Sequence, residues 1–378
     1  MTGMNDPEFK TSTRIHFGTD ALARLGTLVR ELGGTRVLLV ADAGLVDAGH
    51  VGQATDIMRE SQLEVFHFND FHENPTSAMA ETGTCAAREW SINFIVGLGG
   101  GSSMDCAKAI NFILTNGGGM ADYWGYGKAE KPMLPMLAIP TTAGTGSEVQ
   151  SYALITDPQS HRKMACGDPK AAFKAAILDP KLTVSQPASV TAAAGYDAIG
   201  HAVETFVTTK RTKLSQFFSM EAWRLLDKNY EVVLREPENL EARGGMQLGA
   251  CLAGVAIENS MLGATHALAN PLTERYEITH GVAIAILLHH VVRWNSGFVR
   301  KHYDELAEIS GNSTPDWLAG RLQELLGRSG LPVRLSQVGV ERDQFPNLSQ
   351  QALQQWTGTF NPRPLNQSDV EALYEAAY

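Results

Sequence analysis

Cysteine is scarce in this chain, which has four in 378 residues and no Cys-x-x-Cys pair. Without paired thiols at close spacing, a zinc ribbon and a disulfide scaffold are both excluded. A chain with so few thiols is typical of a reducing compartment, and we therefore expect the protein to be cytoplasmic. The four cysteines are far apart in the sequence: Cys85, Cys106, Cys166 and Cys251.

Positive charge and long apolar runs are lacking as well. The chain has 31 Lys and Arg against 41 Asp and Glu, a net charge of −10, and a field of this sign repels nucleic acid and anionic membranes. No run approaches the roughly 18 apolar residues of a membrane span, since the most apolar one, Val282 to Leu288, ends at two histidines. Residues 1–8 also lack the basic and apolar regions of a signal peptide. We expect neither nucleic-acid nor membrane partners.

The composition that remains is that of a globular protein, with 44% hydrophobic residues, 19% charged residues, 36 glycines and 16 prolines. At roughly 150 residues per domain, the length predicts two domains. We predict an α/β dinucleotide-binding domain with a Rossmann-like parallel sheet over residues 1–183, and an all-α domain over residues 184–378. The change of pattern falls at residues 180–187.

Short apolar runs alternate with helix-length segments in the first half, the pattern of a parallel sheet covered on both faces. After residue 180 strand patterns fade and helical patterns follow one another. The predicted strands are 36–41, 63–68, 93–97, 134–139 and 174–178, with helices at 46–59, 77–90 and 104–114. The later predicted helices are 189–208, 214–234, 240–262, 282–294, 298–309 and 315–326.

A glycine-rich loop, Gly97-Leu-Gly-Gly-Gly-Ser-Ser103, lies directly between a predicted buried strand and a predicted helix. Adjacent glycines let backbone N–H groups approach a diphosphate, and the helix N-terminus favours its negative charge. A tight structural turn is the alternative interpretation. The strict Gly-x-Gly-x-x-Gly fingerprint is absent, because position 102 is serine and the loop follows the third predicted strand.

Two further features favour nucleotide binding. Asp42 follows the first predicted strand, where a carboxylate binds the ribose hydroxyls of NAD and repels the 2′-phosphate of NADP. An exposed loop aspartate is the simpler alternative. The second feature is a strand that ends in a loop dense in hydroxyls and glycine, residues 139–148, which contacts adenine and phosphates at little steric cost.

The second half contains one carboxylate and three imidazoles in apolar surroundings. Asp197 and His201 are four residues apart on a predicted helix and share one face. His266 is placed near the end of another helix, and His280 opens the next helical segment. Such a donor set without thiolate suits Fe²⁺ or Zn²⁺. Each histidine could instead be a hydrogen-bonded core residue, and the Asp–His pair a local hydrogen bond.

Taken in order, the motifs resemble the iron-dependent alcohol dehydrogenase family over most of the chain. In the first half they are Phe17-Gly-Thr19, Val40-Ala-Asp-Ala-Gly-Leu45, Glu73-Asn-Pro-Thr76, Gly99-Gly-Gly-Ser102 with Asp105 and Lys108, Pro140-Thr-Thr-Ala-Gly-Thr-Gly-Ser-Glu148, Ile155-Thr-Asp157, Lys163 and Asp179-Pro-Lys-Leu-Thr183. In the second half they are Gly195-Tyr-Asp-Ala-Ile-Gly-His-Ala-Val-Glu204, His266-Ala-Leu-Ala-Asn-Pro-Leu272, His280-Gly-Val282 and Asn361-Pro-Arg363.

The resemblance implies a role for each matching residue. The metal ligands would be Asp197, His201, His266 and His280, and the NAD-selecting carboxylate would be Asp42. The remaining cofactor contacts it implies are Asn74, Gly100, Gly101, Ser102, Thr141, Thr142, Thr145, Ser151, Lys163 and Leu182. It further implies an NAD-linked enzyme with Fe²⁺ or Zn²⁺ that acts on small alcohols or aldehydes, in which metal and nicotinamide meet in the cleft between the domains. A homodimer or larger homo-oligomer is usual in the family.

The sequence departs from the family pattern at two places. Asn270 stands where family members commonly carry a histidine assigned to proton relay or nicotinamide contact, and Asn cannot titrate. Protons would then leave by water and the nicotinamide ribose, or through another group such as His290. Phe360, in a bulky segment before Asn361, would narrow the substrate pocket and disfavour the usual short diols.

Two other functions are compatible with parts of this pattern. A lyase similar to dehydroquinate synthase would need a cluster of basic residues near the metal, and Lys210, Arg211 and Lys213 are better explained as a solvated loop. A metal-free enzyme similar to maleylacetate reductase would lack part of the ligand set, whereas this chain has all four residues. A metal-dependent alcohol dehydrogenase is the function that the sequence favours.

Overall fold

Two compact units make up this chain in a computed structural model that describes residues 13–159, 162–314 and 316–378. The first unit contains Ser12–Pro187 and Pro237–Cys251, and the second contains Ala188–Glu236 and Leu252–Tyr378. Residues 237–251 therefore belong with the first unit although they follow a long helix of the second. The domain boundary at residues 183 and 184 remains a prediction.

A six-stranded parallel sheet forms the centre of the first unit, and its strand order is β1-β9-β6-β4-β2-β3. These strands are β1 (Arg14–Phe17), β2 (Arg36–Val40), β3 (Glu64–Phe68), β4 (Phe94–Gly99), β6 (Met136–Pro140) and β9 (Ala175–Leu178). The helices between them are α1 (Leu25–Glu31), α2 (Ala43–Asp47), α3 (His50–Glu60), α4 (Ser77–Glu89) and α5 (Gly101–Asn116). The predicted α/β class of this half is confirmed.

Strand β2 illustrates why the central strands are continuous apolar runs. Val37 and Leu39 pack into one apolar core with α1 and α3, whereas Leu38 and Val40 pack into a second core on the opposite face with α5. Successive side chains of a strand point to opposite faces, so a strand covered on both sides has no position for a polar residue.

The sheet reverses its order of winding at β2. The chain passes from β2 to β3 on one side, and then returns to form β4 on the other side of β2. In parallel sheets of this kind, ligands bind beyond the carboxyl ends of the strands at such a switch point. The topology therefore directs attention to the loops that follow β2 and β4.

Several elements differ from the sequence predictions. The edge strand β1 and a second, three-stranded sheet of β5 (Gly125–Tyr126), β8 (Lys163–Gly167) and β7 (Tyr152–Thr156) were not predicted. Strand β1 has four residues and β5 has two, too few for a clear periodicity, whereas β7 and β8 have five residues each and were missed although they pair with each other. The single helix predicted over residues 46–59 is two helices, α2 and α3, separated at Gly49, which has a φ of 82°.

The second unit is helical, as predicted. Its helices are α6 (Ala188–Val207), α7 (Lys213–Arg235), α9 (Ala264–Tyr276), α10 (His280–Ile309), α11 (Trp317–Arg328), α12 (Phe345–Leu353) and α13 (Gln367–Ala376), and α8 (Leu240–Glu258) leads into it. The predicted helices 282–294 and 298–309 are both present within α10, where a kink with non-helical dihedral angles at Val299 separates them close to the predicted break. Helix α9 was expected only as a helix that carries His266, without bounds, and α12 and α13 were not predicted. The predicted helix start at Pro315 lies outside the described residues.

Helix α10 is long and apolar enough to cross a membrane by length and composition alone. Most of it is buried inside the protein, however, with residues such as Ile284, Leu287 and Leu288 fully inaccessible. Burial of this kind is typical of a core helix.

Candidate metal centre and nucleotide-binding loops

Helix α6 brings three functional side chains to one buried face. Asp197, His201 and Glu204 are four and three residues apart, the spacing that places side chains one above another on a helix. The rest of this face consists of small residues such as Gly200, where a Cβ would come within 2.7 Å of Ile284 on α10. The close approach of α10 to α6 therefore requires a glycine at this position.

Asp197, His201 and His266 form one cluster in which a ligand atom of each lies within 4.8 Å of the others, and His280, on a third helix, adds a fourth predicted ligand beside Asp197. The Nε2 atoms of His201, His266 and His280 lie 3.4, 3.5 and 3.7 Å from Oδ1 of Asp197. His201 and His266 stack with ring centroids 4.9 Å apart, and His266 and His280 are 5.4 Å apart. His266 is in the first turn of α9, not near the end of a helix as predicted, because α9 begins at Ala264. His280 is the first residue of α10, as predicted.

The spacing of these atoms fits a bound cation better than a set of hydrogen bonds. Two ligands about 2.1 Å from an ion at tetrahedral angles are about 3.4 Å apart, which is longer than a good hydrogen bond. Among the described residues, Asp197 Oδ1 and His266 Nε2 are buried and accept or donate no hydrogen bond. Buried polar atoms of this kind need a partner, and a divalent cation would supply one to both.

Solvent reaches this centre from the side of His280. The side chain of His280 is 28% exposed, compared with 4–7% for Asp197, His201 and His266. Catalytic metal sites keep one position open for substrate, whereas structural sites are closed. His280 is therefore the candidate ligand beside which a coordination position would be open.

The pKa values show how strongly the charges interact. Burial by itself would raise the pKa of Asp197, but the three neighbouring imidazoles hold it well below its usual range. Burial would likewise lower the pKa of His266, but the carboxylates of Glu204 and Asp197 raise it to about 9. A cation must displace a proton from His266 at neutral pH, as is general for metal ligands.

Glu204 has no role in the sequence analysis, although it ends one of the family motifs. Its Oε2 is 2.5 Å from His266 Nδ1 and also accepts from Gly263 N at 3.0 Å, and its Oε1 accepts from Thr265 N at 2.5 Å. The side chain is buried. Burial would raise its pKa, but His266 and the donated hydrogen bonds lower it, so Glu204 is anionic at neutral pH.

Asn361 belongs to a family motif, but the sequence predicted no role for its side chain. Its Oδ1 accepts from Ala264 N at 3.2 Å and from Asn295 Nδ2 at 3.0 Å, and its Nδ2 donates to Asn295 Oδ1 at 2.8 Å. Asn361 thus joins the start of α9 to α10, which carries His280. For Glu204 the signal in the sequence is its position: it is a polar residue on an apolar helix, three residues after the candidate ligand His201 and on the same face.

The candidate nucleotide-binding residues lie at one edge of the six-stranded sheet. Asp42 follows β2, the glycines Gly100 and Gly101 follow β4, and Thr141 and Thr142 follow β6. These three strands are neighbours in the sheet, and parallel strands end at the same edge. The structure therefore brings the three predicted loops together at the switch point.

The glycine loop, residues 97–103, lies close to the loop that follows β6, residues 141–148, which we call the threonine loop. A Cβ at Gly101 would come within 2.8 Å of Thr145 Cγ2, and a Cβ at Gly100 within 3.3 Å of Thr142 Cγ2. Only glycine leaves the backbone N–H groups accessible in such a loop, and α5 begins at Gly101 with its positive dipole end. The loop therefore has the shape and charge that a diphosphate needs. The Ser102 hydroxyl accepts from Asn74 N at 3.2 Å, which brings these two predicted residues together.

A buried lysine holds the threonine loop against α5. Lys108 is fully buried, and its Nζ donates to the carbonyl of Ser147 at 2.8 Å, to the hydroxyl of Ser147 at 3.0 Å and to the carbonyl of Tyr152 at 2.7 Å. The Ser147 hydroxyl donates to Asp105 Oδ1 at 2.9 Å. The buried charge of Lys108 is thus compensated by Asp105 and by carbonyl oxygens.

The other predicted cofactor residues are in more varied positions. Asp42 caps helix α2 by accepting from Leu45 N at 3.3 Å, so part of its hydrogen-bonding capacity is local. Ser151 is buried, and Lys163 is the first residue of β8. Leu182 is 3% exposed and packs into the apolar core of the sheet.

The three pocket residues of the sequence analysis differ in their distance from the centre. Asn270 is one helical turn after His266, and its Nδ2 donates to Gln355 at 3.0 Å. His290 is ten residues after His280 on α10, about 15 Å along the axis, and stacks on His289. Phe360 ends the turn Trp356–Phe360, which packs on α9 where a Cβ at Gly358 would come within 3.1 Å of Ala267.

Comparison with protein families identifies the two units separately. Residues 12–180 match the family model described as iron-containing alcohol dehydrogenase. Residues 191–378 match the model described as the C-terminal part of the Fe-containing alcohol dehydrogenase family.

Individual relatives match along nearly the whole chain. The 1,3-propanediol dehydrogenase of Klebsiella pneumoniae is 33% identical over 372 residues, 96% of each chain. The NAD-dependent methanol dehydrogenase of Bacillus methanolicus is 31% identical and covers 95% of this chain and 97% of its own. Among solved structures, the sulfoacetaldehyde reductase of Bifidobacterium kashiwanohense in complex with NAD⁺ has a TM-score of 0.90 at 27% identity, over 98% of this chain and 99% of its own.

Proposed function

Because this chain belongs to the iron-containing alcohol dehydrogenase family, we propose that Asp197, His201, His266 and His280 hold the metal ion of an NAD(H)-linked alcohol dehydrogenase or aldehyde reductase. The convergence of three Nε2 atoms within 3.4–3.7 Å of Asp197 Oδ1 is the observation that carries the proposal. One carboxylate and three neutral imidazoles suit a divalent ion of borderline softness.

Each protein group has a defined task in hydride transfer between an alcohol carbon and nicotinamide. A bound divalent cation lowers the pKa of an alcohol and polarises the carbonyl of an aldehyde in the reverse direction. Asp197 supplies negative charge to the centre, and the exposed side of His280 leaves room for a substrate oxygen. The glycine loop of residues 99–102 binds the cofactor diphosphate through its N–H groups.

Asp42 selects NAD over NADP in our proposal. It follows β2 next to the strand that carries the glycine loop, the place where an acidic residue binds the ribose hydroxyls. A 2′-phosphate would meet the negative charge of its carboxylate. The name of the methanol dehydrogenase and the NAD⁺ complex of the reductase support NAD as the cofactor.

The substrate is a small alcohol or aldehyde. The relatives are named for different substrates, namely 1,3-propanediol, methanol and sulfoacetaldehyde, so membership of the family does not choose among them. We assign the choice to Asn270, one helical turn after His266, and to the turn Trp356–Phe360, which packs on α9 through Gly358. With Asn270 unable to titrate, protons leave through water and the nicotinamide ribose.

Iron is the metal that the family name implies, and Zn²⁺ would replace it readily because imidazole sites generally bind Zn²⁺ more tightly than Fe²⁺. We further propose a cytoplasmic enzyme, since a site that uses Fe²⁺ is favoured by a reducing compartment and the cysteines of the described residues are unpaired. A homodimer is the assembly we propose.

The proposed function is tested by initial rates for a panel of alcohols and aldehydes with NAD(H) and NADP(H). The protein is assayed metal-free, then after reconstitution with Fe²⁺ and with Zn²⁺. We expect no turnover without metal, restored turnover with either ion, and faster reaction with NAD(H). Full activity after exhaustive chelation would contradict the metal centre.

The same experiment separates the two alternative functions. A lyase recycles its nicotinamide, so NADH would not accumulate in proportion to product, whereas a dehydrogenase forms one NADH for each aldehyde. An enzyme of the maleylacetate reductase kind would contain no metal when purified without chelators. We expect stoichiometric NADH and about one metal ion per chain.

A further inference from the structure

We propose that Glu204 is the positioning residue of the metal centre, because it determines which nitrogen of His266 carries the proton and so presents Nε2 to the cation. The inference rests on the proposed function, in which His266 is a ligand. Glu204 itself is not one of the four predicted ligands, so it acts through His266.

The hydrogen bonds of the imidazole ring determine the tautomer of His266. A neutral histidine has one nitrogen that donates and one that accepts, and the tautomer follows from its hydrogen bonds. Glu204 Oε2 is 2.5 Å from His266 Nδ1, and an ionised carboxylate only accepts. In the neutral ring that binds a cation, Nδ1 must therefore carry the proton, and the lone pair is on Nε2, the atom 3.5 Å from Asp197 Oδ1.

The carboxylate of Glu204 is held in one orientation by its other hydrogen bonds. Both of its carboxylate oxygens are occupied, because Gly263 N and Thr265 N donate to them at 3.0 and 2.5 Å. These N–H groups belong to the start of α9, whose dipole stabilises a negative charge. The side chain is 4% exposed, so water does not compete for the carboxylate.

Asp197 and Glu204 lie on the same face of α6 and act on the centre at different points. Glu204 is seven residues after Asp197 on α6, two helical turns along the same face. Asp197 therefore points directly to the cation site, whereas Glu204 fixes the start of α9 and the ring of His266. Carboxylates that hold a metal-binding histidine in this way also increase the basicity of the ligand.

The experiment compares Glu204→Gln with a matched control, Asn361→Ala. Glutamine keeps the shape of glutamate, but its NH₂ group faces the N–H donors of Gly263 or Thr265 and has no charge. Asn361 also accepts from the start of α9, at Ala264 N, but does not contact His266. Both variants weaken the helix start, and only Glu204→Gln disturbs the imidazole.

Metal affinity is measured on the full-length, metal-free protein by competition with a chromophoric chelator, with Zn²⁺ as the probe, at a temperature where each variant is folded. We expect Glu204→Gln to bind Zn²⁺ about 10- to 100-fold more weakly than the original protein, and Asn361→Ala to show a clearly smaller loss, because it loosens the starts of α9 and α10 but leaves the Nδ1 partner of His266 in place. An unchanged affinity in Glu204→Gln, or an equal loss in both variants, would overturn the proposal.

A measurement on the unsubstituted protein covers the case in which Glu204→Gln does not fold. In the Zn²⁺-loaded protein with ¹⁵N-labelled histidine, we expect a proton on His266 Nδ1 with a strongly downfield N–H resonance. A proton-free Nδ1 would overturn the proposal by itself.

His266→Ala distinguishes a failure of this inference from a failure of the proposed function. If His266→Ala binds Zn²⁺ as well as the original protein, His266 is not a ligand and the proposed function is wrong at that residue. If His266→Ala loses the metal and Glu204→Gln does not, only the positioning role of Glu204 is wrong.

Discussion

Gly281, next to the candidate ligand His280, lies directly against the backbone carbonyl of Ala193 on α6. A Cβ built on Gly281 would be 2.6 Å from the Ala193 carbonyl carbon and closer still to its oxygen. Because the obstacle is backbone, no change of rotamer could relieve the overlap. The start of α10, and with it His280, is at this distance from α6 because residue 281 has no side chain.

The contact predicts that Gly281→Ala destabilises the protein by about 1–3 kcal/mol or more and weakens Zn²⁺ binding, since His280 must move with the helix. Urea unfolding and chelator competition measure the two effects. Gly297→Ala is the matched control, since it is on the same helix with nothing within 4 Å of an added Cβ. That variant should be more stable by roughly 0.5–1 kcal/mol, and equal behaviour of the two variants would contradict this account.

Removal of the metal should abolish turnover without preventing cofactor binding. We expect chelation and dialysis, or His280→Ala, to lower kcat at least about a hundredfold, because a metal ion supplies several kcal/mol of charge stabilisation. The affinity for NADH, measured by its fluorescence, should change less than about threefold because the candidate nucleotide loops belong to the other unit. Loss of NADH binding in the metal-free protein would contradict the conclusion that cofactor binding does not depend on the metal.

Removal of the charge of Asp42 should shift the cofactor preference toward NADP. Asp42→Ser keeps an N-cap oxygen for the start of α2 and removes the carboxylate that, in our proposal, would repel the 2′-phosphate of NADP. We expect the ratio of kcat/KM for NADP to that for NAD to rise about tenfold, which corresponds to about 1.4 kcal/mol. Asp42→Ala removes both the charge and the helix cap. If the kcat/KM ratio changed in Asp42→Ala but not in Asp42→Ser, the effect would come from the lost cap and not from the charge.

Stability should fall as the pH rises through neutrality because of Glu148. Burial raises the pKa of this carboxyl to about 7, and Lys108 and Cys251 only partly offset the shift. Since the folded state binds the proton more tightly than the unfolded state, its contribution is complete below the unfolded value of about 4.5 and is lost as the pH passes about 7.

Urea unfolding of the original protein and of Glu148→Gln between pH 5 and 8 tests the prediction about Glu148. As the pH rises, the original protein should lose stability relative to Glu148→Gln, because glutamine does not titrate. The total loss should be about 1.4 kcal/mol for each unit by which the pKa of Glu148 is raised. A difference that is independent of pH would show that Glu148 has an ordinary pKa.

Replacement of Lys108 should loosen the threonine loop. Lys108→Met removes three hydrogen bonds and leaves Asp105 buried without its counter-charge, which we expect to cost about 3–5 kcal/mol of stability and to raise the KM for NAD. Lys131→Met is the control, since Lys131 is exposed and surface substitutions usually change stability by less than about 0.5 kcal/mol. Equal unfolding midpoints for the two variants would contradict the anchoring role.

Local patterns account for most of what could be predicted about the fold. The buried strands β2, β4, β6 and β9 and the long helices α6 and α7 were predicted to within a few residues, because each carries the periodicity of its own surroundings. Strand β1 was not predicted, since its partner β9 is about 160 residues away and four residues carry little periodicity. Helix α9 was expected to end near His266 but begins there, and its internal proline, Pro271, is a residue that usually ends a helix.

The sequence alone also supplied the chemistry of the site. The donor types of the four candidate ligands and the glycines before α5 are properties of single residues and short motifs. The reason is that the affinity of imidazole and carboxylate for divalent ions, and the small size of glycine, are intrinsic to the side chains.

Only the tertiary structure decided how these groups are combined. It brings three helices to one carboxylate oxygen, places His266 at the beginning of its helix, and gives Glu204 the Nδ1 atom of that histidine. Contacts between residues more than sixty positions apart depend on how the helices pack as a whole, and no local preference of the chain records them. The choice of donors was thus already present in the sequence, whereas their distances and the tautomer of His266 exist only in the folded chain.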